Sequence, residues 1–199
     1  ITVNFLGDGA VNEGEFHEAL NLAAVWKLPV IFIVENNFYG MGTAMRRVSA
    51  LVEIYKRAEA YGIPASQVDG MDVEAMRAAV EAAAKTVRAG EGPVFLEAIC
   101  YRFRGHSMAD PETYRDKEEV EKRRSQDPII LFRDQLLGAE ISTEDDLKAI
   151  EDKVEEDVEA AVQFADNSAV PDPSTIEDFV YAEPIWKSNG VAEGSAARG

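Results

Sequence analysis

Two polar residues, Asp8 and Asn37, could together hold a metal ion against a phosphate group. Each follows an apolar run of residues, and one strand–helix–strand unit separates them along the chain. Carboxylate and amide oxygens suit Mg²⁺, which prefers oxygen ligands and often shares them with phosphates. The glycines on both sides of Asp8 let backbone N–H groups approach a phosphate without an intervening Cβ. The residue types therefore favour a Mg²⁺–diphosphate site and leave an ordinary turn and helix cap open as the alternative.

The elements that must position these residues are two strands and the helix between them. Helical spacing over about residues 13–26 predicts that helix, with Asn12 as its N-cap and Glu15 completing a capping box. The continuous apolar run of residues 30–34 is typical of a parallel strand that is buried on both faces. A right-handed crossover brings the carboxyl ends of two such strands together. Ligands of open α/β sheets bind outside those ends.

The rest of the chain continues the α/β pattern. Strands are predicted at about residues 67–70 and 94–100, a loop at 38–51, and helices at 53–61, 72–89 (capped by Asp72), 117–124, 128–137 and from Ser142 onward. The last helix has an acidic outer face and an apolar stripe, typical of a helix docked on a domain. We therefore predict a mostly parallel sheet flanked by helices. Residues 1–169 are predicted to form this α/β domain and residues 170–199 an extended tail, disordered from about residue 188.

Composition restricts the class of function. The net charge of −17 argues against a nucleic-acid or anionic membrane surface, and no apolar run approaches the roughly 20 residues of a membrane span. The single cysteine, Cys100, excludes an internal disulfide, suits a reducing compartment and is predicted to be a structural thiol. Because the chain begins inside a predicted strand, it is expected to be the carboxyl-terminal portion of a longer protein, with the amino-terminal part missing.

A long loop, residues 101–116, carries the other candidate for chemistry. His106 lies in it close to Arg102 and Arg104. Loops of this length without regular structure are usually functional or mobile, so His106 is a candidate active-site residue, and a surface histidine is the alternative. The arginines are predicted to anchor the loop by pairing with its own aspartates, with phosphate contact as the alternative.

These motifs resemble those of a known enzyme family. The Gly-Asp-Gly at residues 7–9 followed by Asn36-Asn37 is similar to the thiamine-diphosphate signature, and residues 7–43 as a whole resemble the α subunits of pyruvate dehydrogenase E1 components. The resemblance extends to residues 68–73, 91–115 and 127–128 and covers about residues 1–167. Asp8 and Glu35 resemble the pyruvate branch of the 2-oxo acid dehydrogenases more than the branched-chain one.

The resemblance implies a thiamin diphosphate-binding fold and a role for each site residue. The implied Mg²⁺ ligands are Asp8, Asn37 and the main-chain carbonyl of Tyr39; the implied thiamine-diphosphate contacts are these three together with Gly9, Ala10 and His106, of which His106 is also the implied catalytic residue. The implied reaction is the oxidative decarboxylation of pyruvate with reductive acetylation of lipoyl groups on an E2 acyltransferase, towards acetyl-CoA.

The resemblance also implies partners. The glutamate that activates the cofactor belongs, in the family, to a separate E1 β subunit, so an α₂β₂ heterotetramer is expected and this chain alone is expected to be inactive. Two alternatives remain: the α subunit of another 2-oxo acid or acetoin dehydrogenase, and a non-catalytic assembly scaffold. The intact Asp8, Asn37 and His106 argue against the scaffold. A nucleotide-binding module is disfavoured because the chain has neither a G-x-G-x-x-G nor a Walker sequence.

Ser107 matches a position that mitochondrial relatives use for inhibitory phosphorylation. Ala44 stands where those relatives have a second such serine, and the loop is one residue shorter around residues 112–113. The chain is in this respect more similar to the plastid and cyanobacterial type. We therefore predict that Ser107 is unmodified and that the protein works in the chloroplast stroma, with the bacterial cytoplasm or the mitochondrial matrix as alternatives.

Overall fold

The computed structural model describes residues 1–176, 178 and 180, so the disorder predicted from residue 188 lies outside the described residues. The elements in chain order are β1 (Thr2–Gly7), α1 (Gly14–Val25), β2 (Val30–Asn36), β3 (Tyr39–Gly40), β4 (Thr43–Ala44), α2 (Tyr55–Glu59), β5 (Ala65–Asp69), α3 (Val73–Arg88), β6 (Val94–Ile99), α4 (Lys117–Arg124), α5 (Pro128–Gly138) and α6 (Glu144–Asn167). Two compact units are present, residues 1–143 and residues 144 onward. The domain limits of 1–169 and 170–199 stay a prediction.

The first unit is built on a four-stranded parallel sheet in the order β1-β2-β6-β5. Strands β1 and β2 pair from Thr2 opposite Val30 to Gly7 opposite Glu35, so they end at the same level. Strand β6 pairs with both β2 and β5 and is buried along most of its length. The predicted α/β class with a mostly parallel sheet is confirmed.

Helices α1 and α3 cover opposite faces of this sheet. On one face Leu20 of α1 belongs to a buried cluster with Val34 and Phe95. On the other, Val87 of α3 packs in a cluster with Ile33 and other strand residues. From β1 to β2 the chain moves along the sheet in one direction, and from β5 to β6 it moves in the other. Because both connections are right-handed crossovers, their helices lie on opposite sides of the sheet. The core on both faces holds the carboxyl ends of β1, β2 and β6 in place.

Two local predictions were wrong. The N-cap of α1 is Glu13, without a side-chain cap, whereas Asn12 lies in a preceding 3₁₀ turn, residues 10–12. The side chain of Asn12 instead accepts a hydrogen bond from Arg57 at 2.9 Å, a tertiary contact that local sequence does not encode. The predicted loop at 38–51 contains the small antiparallel hairpin β3–β4. Strands of two residues are too short to produce a periodic pattern.

The remaining helices lie close to their predicted positions. Asp72 caps α3 as predicted, since its carboxylate accepts a hydrogen bond from the backbone N–H of Ala75 at 3.0 Å. The second unit contains α6, whose side chains Ile150 and Val158 on the predicted apolar stripe are each 59% exposed; docking of this helix stays a prediction. None of the helices in the described residues is long and apolar enough to span a membrane.

Candidate functional site

The candidate site lies where strands β1 and β2 end side by side. Asp8 follows β1 and Asn37 follows β2, and the parallel pairing of the two strands continues to Gly7 opposite Glu35, one residue before β2 ends. A cavity of about 480 Å³ opens there. Its lining includes every predicted site residue: Asp8, Gly9, Ala10, Asn37, Tyr39 and His106. The predicted juxtaposition of Asp8 and Asn37 across the strand–helix–strand unit is therefore present.

Asp8 is buried without full compensation of its charge. It is 2% exposed, and among the described residues its Oδ2 is the single buried side-chain polar atom that has no hydrogen-bond partner. Burial raises the pKa of Asp8, although the backbone N–H groups of Asp8 itself and Asn37 and the charge of Arg102 act in the opposite direction. A buried, unpartnered carboxylate oxygen at the wall of a cavity suits a cation.

Two of the glycines that line the cavity, Gly9 and Gly40, approach each other closely. A Cβ built on Gly9 would lie 3.3 Å from the Cα of Gly40, and one built on Gly40 would lie 3.2 Å from the Cα of Gly9. Side chains at these positions would separate the start of the β1–α1 connection from the hairpin. The absence of a Cβ on both sides leaves backbone accessible to an anionic ligand.

The two adjacent asparagines point to different partners. The Oδ1 of Asn37 accepts a long hydrogen bond of 3.4 Å from the backbone N–H of Tyr39, and Asn37 lines the cavity. Asn36 is instead 2% exposed, and its Nδ2 donates to Glu97 at 2.6 Å. Only Asn37 is thus available to a ligand, in keeping with the role that the resemblance implies for it.

Arg102 connects the long loop to the hairpin at the edge of the cavity. Its guanidinium donates to the carbonyls of Tyr39 at 3.4 Å and Met41 at 2.8 Å, and to the hydroxyl of Tyr114 at 2.8 Å. Arg102 does anchor the loop, but the predicted pairing with the loop's own aspartates was wrong, because its hydrogen bonds go to carbonyls, to a tyrosine and, at 3.5 Å, to Nδ1 of His106. As a cavity-lining cation, Arg102 also offers positive charge to an anionic ligand within an acidic protein.

The loop that carries His106 is held by carboxylates rather than by regular structure. Asp110 accepts hydrogen bonds from the backbone N–H of His106 at 2.7 Å, from the backbone N–H of Glu112 at 2.9 Å and from the hydroxyl of Tyr114 at 2.7 Å. These bonds, that of His106 foremost, lower the pKa of Asp110 to about 2. Asp110 thereby fixes the backbone of His106 at the cavity, where Nδ1 of the exposed imidazole lies 3.5 Å from the guanidinium of Arg102. Ser107 is exposed beside it.

Arg115 closes the base of the same loop. Its side chain is 1% exposed, pairs with Glu112 at 2.5 Å and donates to the carbonyl of Arg102. The guanidinium also lies over the rings of Tyr101 and Tyr114, at 5.4 and 5.8 Å from their centroids. The loop therefore has its own small polar core, which explains how 16 residues without helix or strand can present a defined histidine.

Sequence reasoning missed Glu97 and underestimated Arg102. Glu97 is 0% exposed in the middle of β6, yet it stands within a run that otherwise predicts an apolar strand. A lone glutamate between Leu96 and Ala98 was the signal that could have identified it.

Cys100 is partly buried, and burial together with the charges of Glu35 and Asp8 raises the pKa of its thiol to about 11. Such a thiol is not a nucleophile near neutral pH.

The donor set fits a Mg²⁺ ion bound together with a phosphate ligand. In the part of the chain that the structure describes, no three His, Cys, Asp or Glu side chains come together as a metal cluster. Among the residues that line the cavity, Asp8 has a carboxylate, Asn37 an amide oxygen and Tyr39 a main-chain carbonyl that accepts a hydrogen bond from Arg102 at 3.4 Å. Mg²⁺ commonly completes its shell with substrate phosphate oxygens and water when the protein supplies few carboxylates.

Comparison with known proteins places the chain in one family. The model of the dehydrogenase E1 component family matches residues 1–174. The pyruvate dehydrogenase E1 component subunit alpha of Rickettsia felis is 48% identical over 181 residues, covering 91% of this chain and 56% of the relative. The subunit alpha of Porphyra purpurea is 44% identical, covering 92% of this chain and 53% of the relative, and the chloroplastic subunit alpha-3 of Oryza sativa subsp. japonica is 42% identical, covering 92% and 43%.

The chain spans about half the length of the curated relatives that it matches. The matched region contains the whole described sheet, the Asp8–Asn37 cavity and the loop of His106. Family match and site geometry point in the same direction, and the chain belongs to the dehydrogenase E1 component family.

Proposed function

We propose that this chain is the cofactor-anchoring part of a pyruvate dehydrogenase (acetyl-transferring) E1 α subunit. The observation that carries the proposal is one cavity whose lining contains all the expected ligands, among them Asp8 with its buried, unpartnered Oδ2. Three relatives from a bacterium, a red alga and a plant bear the name of this subunit, which supports the assignment. The family as a whole depends on thiamine diphosphate.

Asp8, Asn37 and the carbonyl of Tyr39 would hold Mg²⁺, and the ion would neutralise the diphosphate of the cofactor. Gly9 and Ala10 would contact that diphosphate through their backbones, because the connection after β1 offers N–H groups without steric obstruction. The charge of the buried Asp8, costly on its own, would be compensated by the ion. The carbonyl of Tyr39 accepts a weak hydrogen bond of 3.4 Å from Arg102, and coordination of the metal would replace this hydrogen bond.

When bound, thiamine diphosphate supplies the nucleophilic carbon that adds to the 2-oxo group of pyruvate and the conjugated ring that accepts electrons as CO₂ leaves. This chain's contribution is to hold the diphosphate and to place His106 at the opening of the cavity. The imidazole of His106 can donate a hydrogen bond to an anionic ligand there or exchange a proton with it. Asp110 accepts a hydrogen bond of 2.7 Å from the backbone N–H of His106 and so positions its backbone, and Arg102 contacts Nδ1 of the ring at 3.5 Å.

The complete reaction needs groups that this chain does not supply. We assign the activation of the cofactor to an E1 β subunit in an α₂β₂ heterotetramer and the acceptance of the acetyl group to a lipoyl-bearing E2 acyltransferase. The chloroplast stroma is the proposed compartment, with the bacterial cytoplasm and the mitochondrial matrix as alternatives, because one of the similar subunits, that of Oryza sativa subsp. japonica, is named chloroplastic.

The test is reconstitution of the full α subunit with its β partner. We expect Mg²⁺-dependent binding of thiamine diphosphate and decarboxylation of pyruvate, both lost in Asp8→Ala. A preference for a branched 2-oxo acid or for acetoin would redirect the substrate assignment. Unchanged activity in Asp8→Ala would contradict the metal site and favour the alternative of an assembly scaffold.

A further inference from the structure

A buried polar network lies beneath the site and centres on Glu97 of β6. Its Oε1 accepts a hydrogen bond from Nδ2 of Asn36 at 2.6 Å. Its Oε2 accepts from the backbone N–H of Tyr55 at 3.1 Å and from Nε2 of Gln67 at 3.3 Å. Glu97 is 0% exposed, and a carboxylate in the middle of a sheet is costly unless it is fully hydrogen-bonded. One carboxylate therefore joins β2, β5, β6 and the start of α2.

Asn36 links Glu97 to the segment that forms the site. Its Nδ2 donates to Glu97, and its Oδ1 accepts from the backbone N–H of Phe38 at 3.1 Å. A carboxylate only accepts and a backbone N–H only donates, so a single orientation of the Asn36 amide satisfies both neighbours. The resulting turn holds Phe38 at a φ of 70°, a conformation that non-glycine residues adopt rarely.

We propose that Glu97 is a positioning residue for the metal and diphosphate site. Its carboxylate fixes the amide of Asn36, and the amide fixes the turn that presents Asn37 and the carbonyl of Tyr39 to the cavity. Glu97 is not among the residues that line the cavity, so it acts through Asn36 rather than on a ligand. The inference rests on the proposed function, because it concerns the site that Asn37 and Tyr39 are proposed to form.

The substitution Glu97→Gln tests this chain of hydrogen bonds because it removes one acceptor at constant size. Tyr55 and Gln67 both donate to Oε2 of the carboxylate. The donor of Tyr55 is a backbone N–H fixed in helix α2, so it always requires an acceptor at this position. The new amide group should therefore keep its oxygen towards them and direct its NH₂ towards Asn36. Asn36 must then rotate its own amide to accept, which leaves its NH₂ facing the N–H of Phe38. The turn loses its hydrogen bond while the fold keeps its apolar core.

A second substitution can restore the pairing. In the double variant Asn36→Asp/Glu97→Gln, the introduced amide donates to one oxygen of the introduced carboxylate, and the other oxygen accepts from Phe38. Every donor again meets an acceptor, and the network again contains one negative charge. The matched control is Gln67→Met, which removes a different hydrogen bond to Glu97 on the side away from Asn36.

The experiment measures two properties of the assembled α/β enzyme carrying these variants. Calorimetric titration with thiamine diphosphate at saturating Mg²⁺ gives the affinity of the site. Hydrogen exchange of the peptide spanning residues 35–45, without cofactor, reports on the turn itself. Leaving the part-buried backbone N–H of Phe38 unpaired in the turn should weaken thiamine-diphosphate binding in Glu97→Gln by about tenfold. Exchange of the peptide should be faster in this variant.

We expect the double variant to return to within about threefold of the original affinity, and Gln67→Met to bind normally. The inference is overturned if Glu97→Gln binds like the original protein, if the double variant binds no better than Glu97→Gln, or if Gln67→Met is weakened equally. Failure of the original protein to bind would overturn the proposed function and this inference with it. If Glu97→Gln does not fold, recovery of folding and binding in the double variant supports the inference, and failure to recover them overturns it.

Discussion

Exchanging the carboxylate of Asp8 for an amide should separate the cost of this residue to the fold from its use in the site. Asp8 is 2% exposed and its Oδ2 has no hydrogen-bond partner. Asp8→Asn keeps the volume and removes the charge. Asparagine leaves an unpartnered polar atom in the same place but carries no charge, and a buried charge without full compensation costs more than a buried neutral amide, by about 1–3 kcal/mol. Each kcal/mol shifts the melting midpoint of a domain of this size by about 2–4 °C. Without divalent ions at pH 7, we expect the variant to melt roughly 2–12 °C higher.

The pH dependence of this difference follows from the raised pKa of Asp8. Below the ordinary value of 3.8, the carboxyl is protonated in both the folded and the unfolded protein, and its charge contributes nothing. As the pH rises, the unfolded chain releases this proton first, so the folded protein with Asp8 loses stability until the pH passes the native pKa. The advantage of Asp8→Asn should therefore be fully present above the raised native pKa of Asp8 and shrink as the pH falls towards 3.8.

Mg²⁺ and thiamine diphosphate should reverse the order of stability. A ligand at 100 times its Kd stabilises the protein that binds it by about 2.7 kcal/mol, and Asp8→Asn should lack this gain. Thermal unfolding followed by circular dichroism, in EDTA and then in Mg²⁺ with cofactor, measures both effects. Asp134→Asn, at an exposed position of α5, controls for the change in net charge. A variant that is less stable than the original protein in EDTA at pH 7 would refute the reasoning.

Three further outcomes are expected. Gly40→Ala should weaken thiamine-diphosphate binding in a calorimetric titration, because its Cβ would press on Gly9 at 3.2 Å, whereas the control Gly14→Ala, with nothing within 4 Å of its Cβ, should leave the affinity unchanged. Arg115→Met should open the long loop, because it removes the ion pair of a side chain that is 1% exposed, and proteinase K should then cut the loop about tenfold faster. Equal cutting rates would contradict this role. Ser107 should carry no phosphate in the cell, and stoichiometric modification in an intact-mass measurement would refute that prediction.

Much of the fold could be predicted because its signals are local. Continuous apolar runs identify β2 and β6 as buried parallel strands, helical spacing identifies α1, and Asp72 caps α3 as its residue type suggests. The strand–helix–strand connection then brings the carboxyl ends of β1 and β2 together, since such crossovers have one hand. Local sequence patterns did not predict the β3–β4 hairpin, whose strands are very short. They also gave the wrong role for Asn12, whose side chain is hydrogen-bonded to the distant Arg57.

The residue types and spacing by themselves determined the α/β class, the pairing of Asp8 with Asn37 and the candidacy of His106. Only the tertiary structure decided that Asp8 keeps an unpartnered oxygen, that Arg102 reaches the carbonyls of the hairpin and that Glu97 is buried beneath Asn36. Hydrogen bonds across 61 or 63 residues of chain leave no periodic trace in the sequence. Burial, which sets their strength and the cost of leaving them unmade, arises only when the strands and loops have packed together.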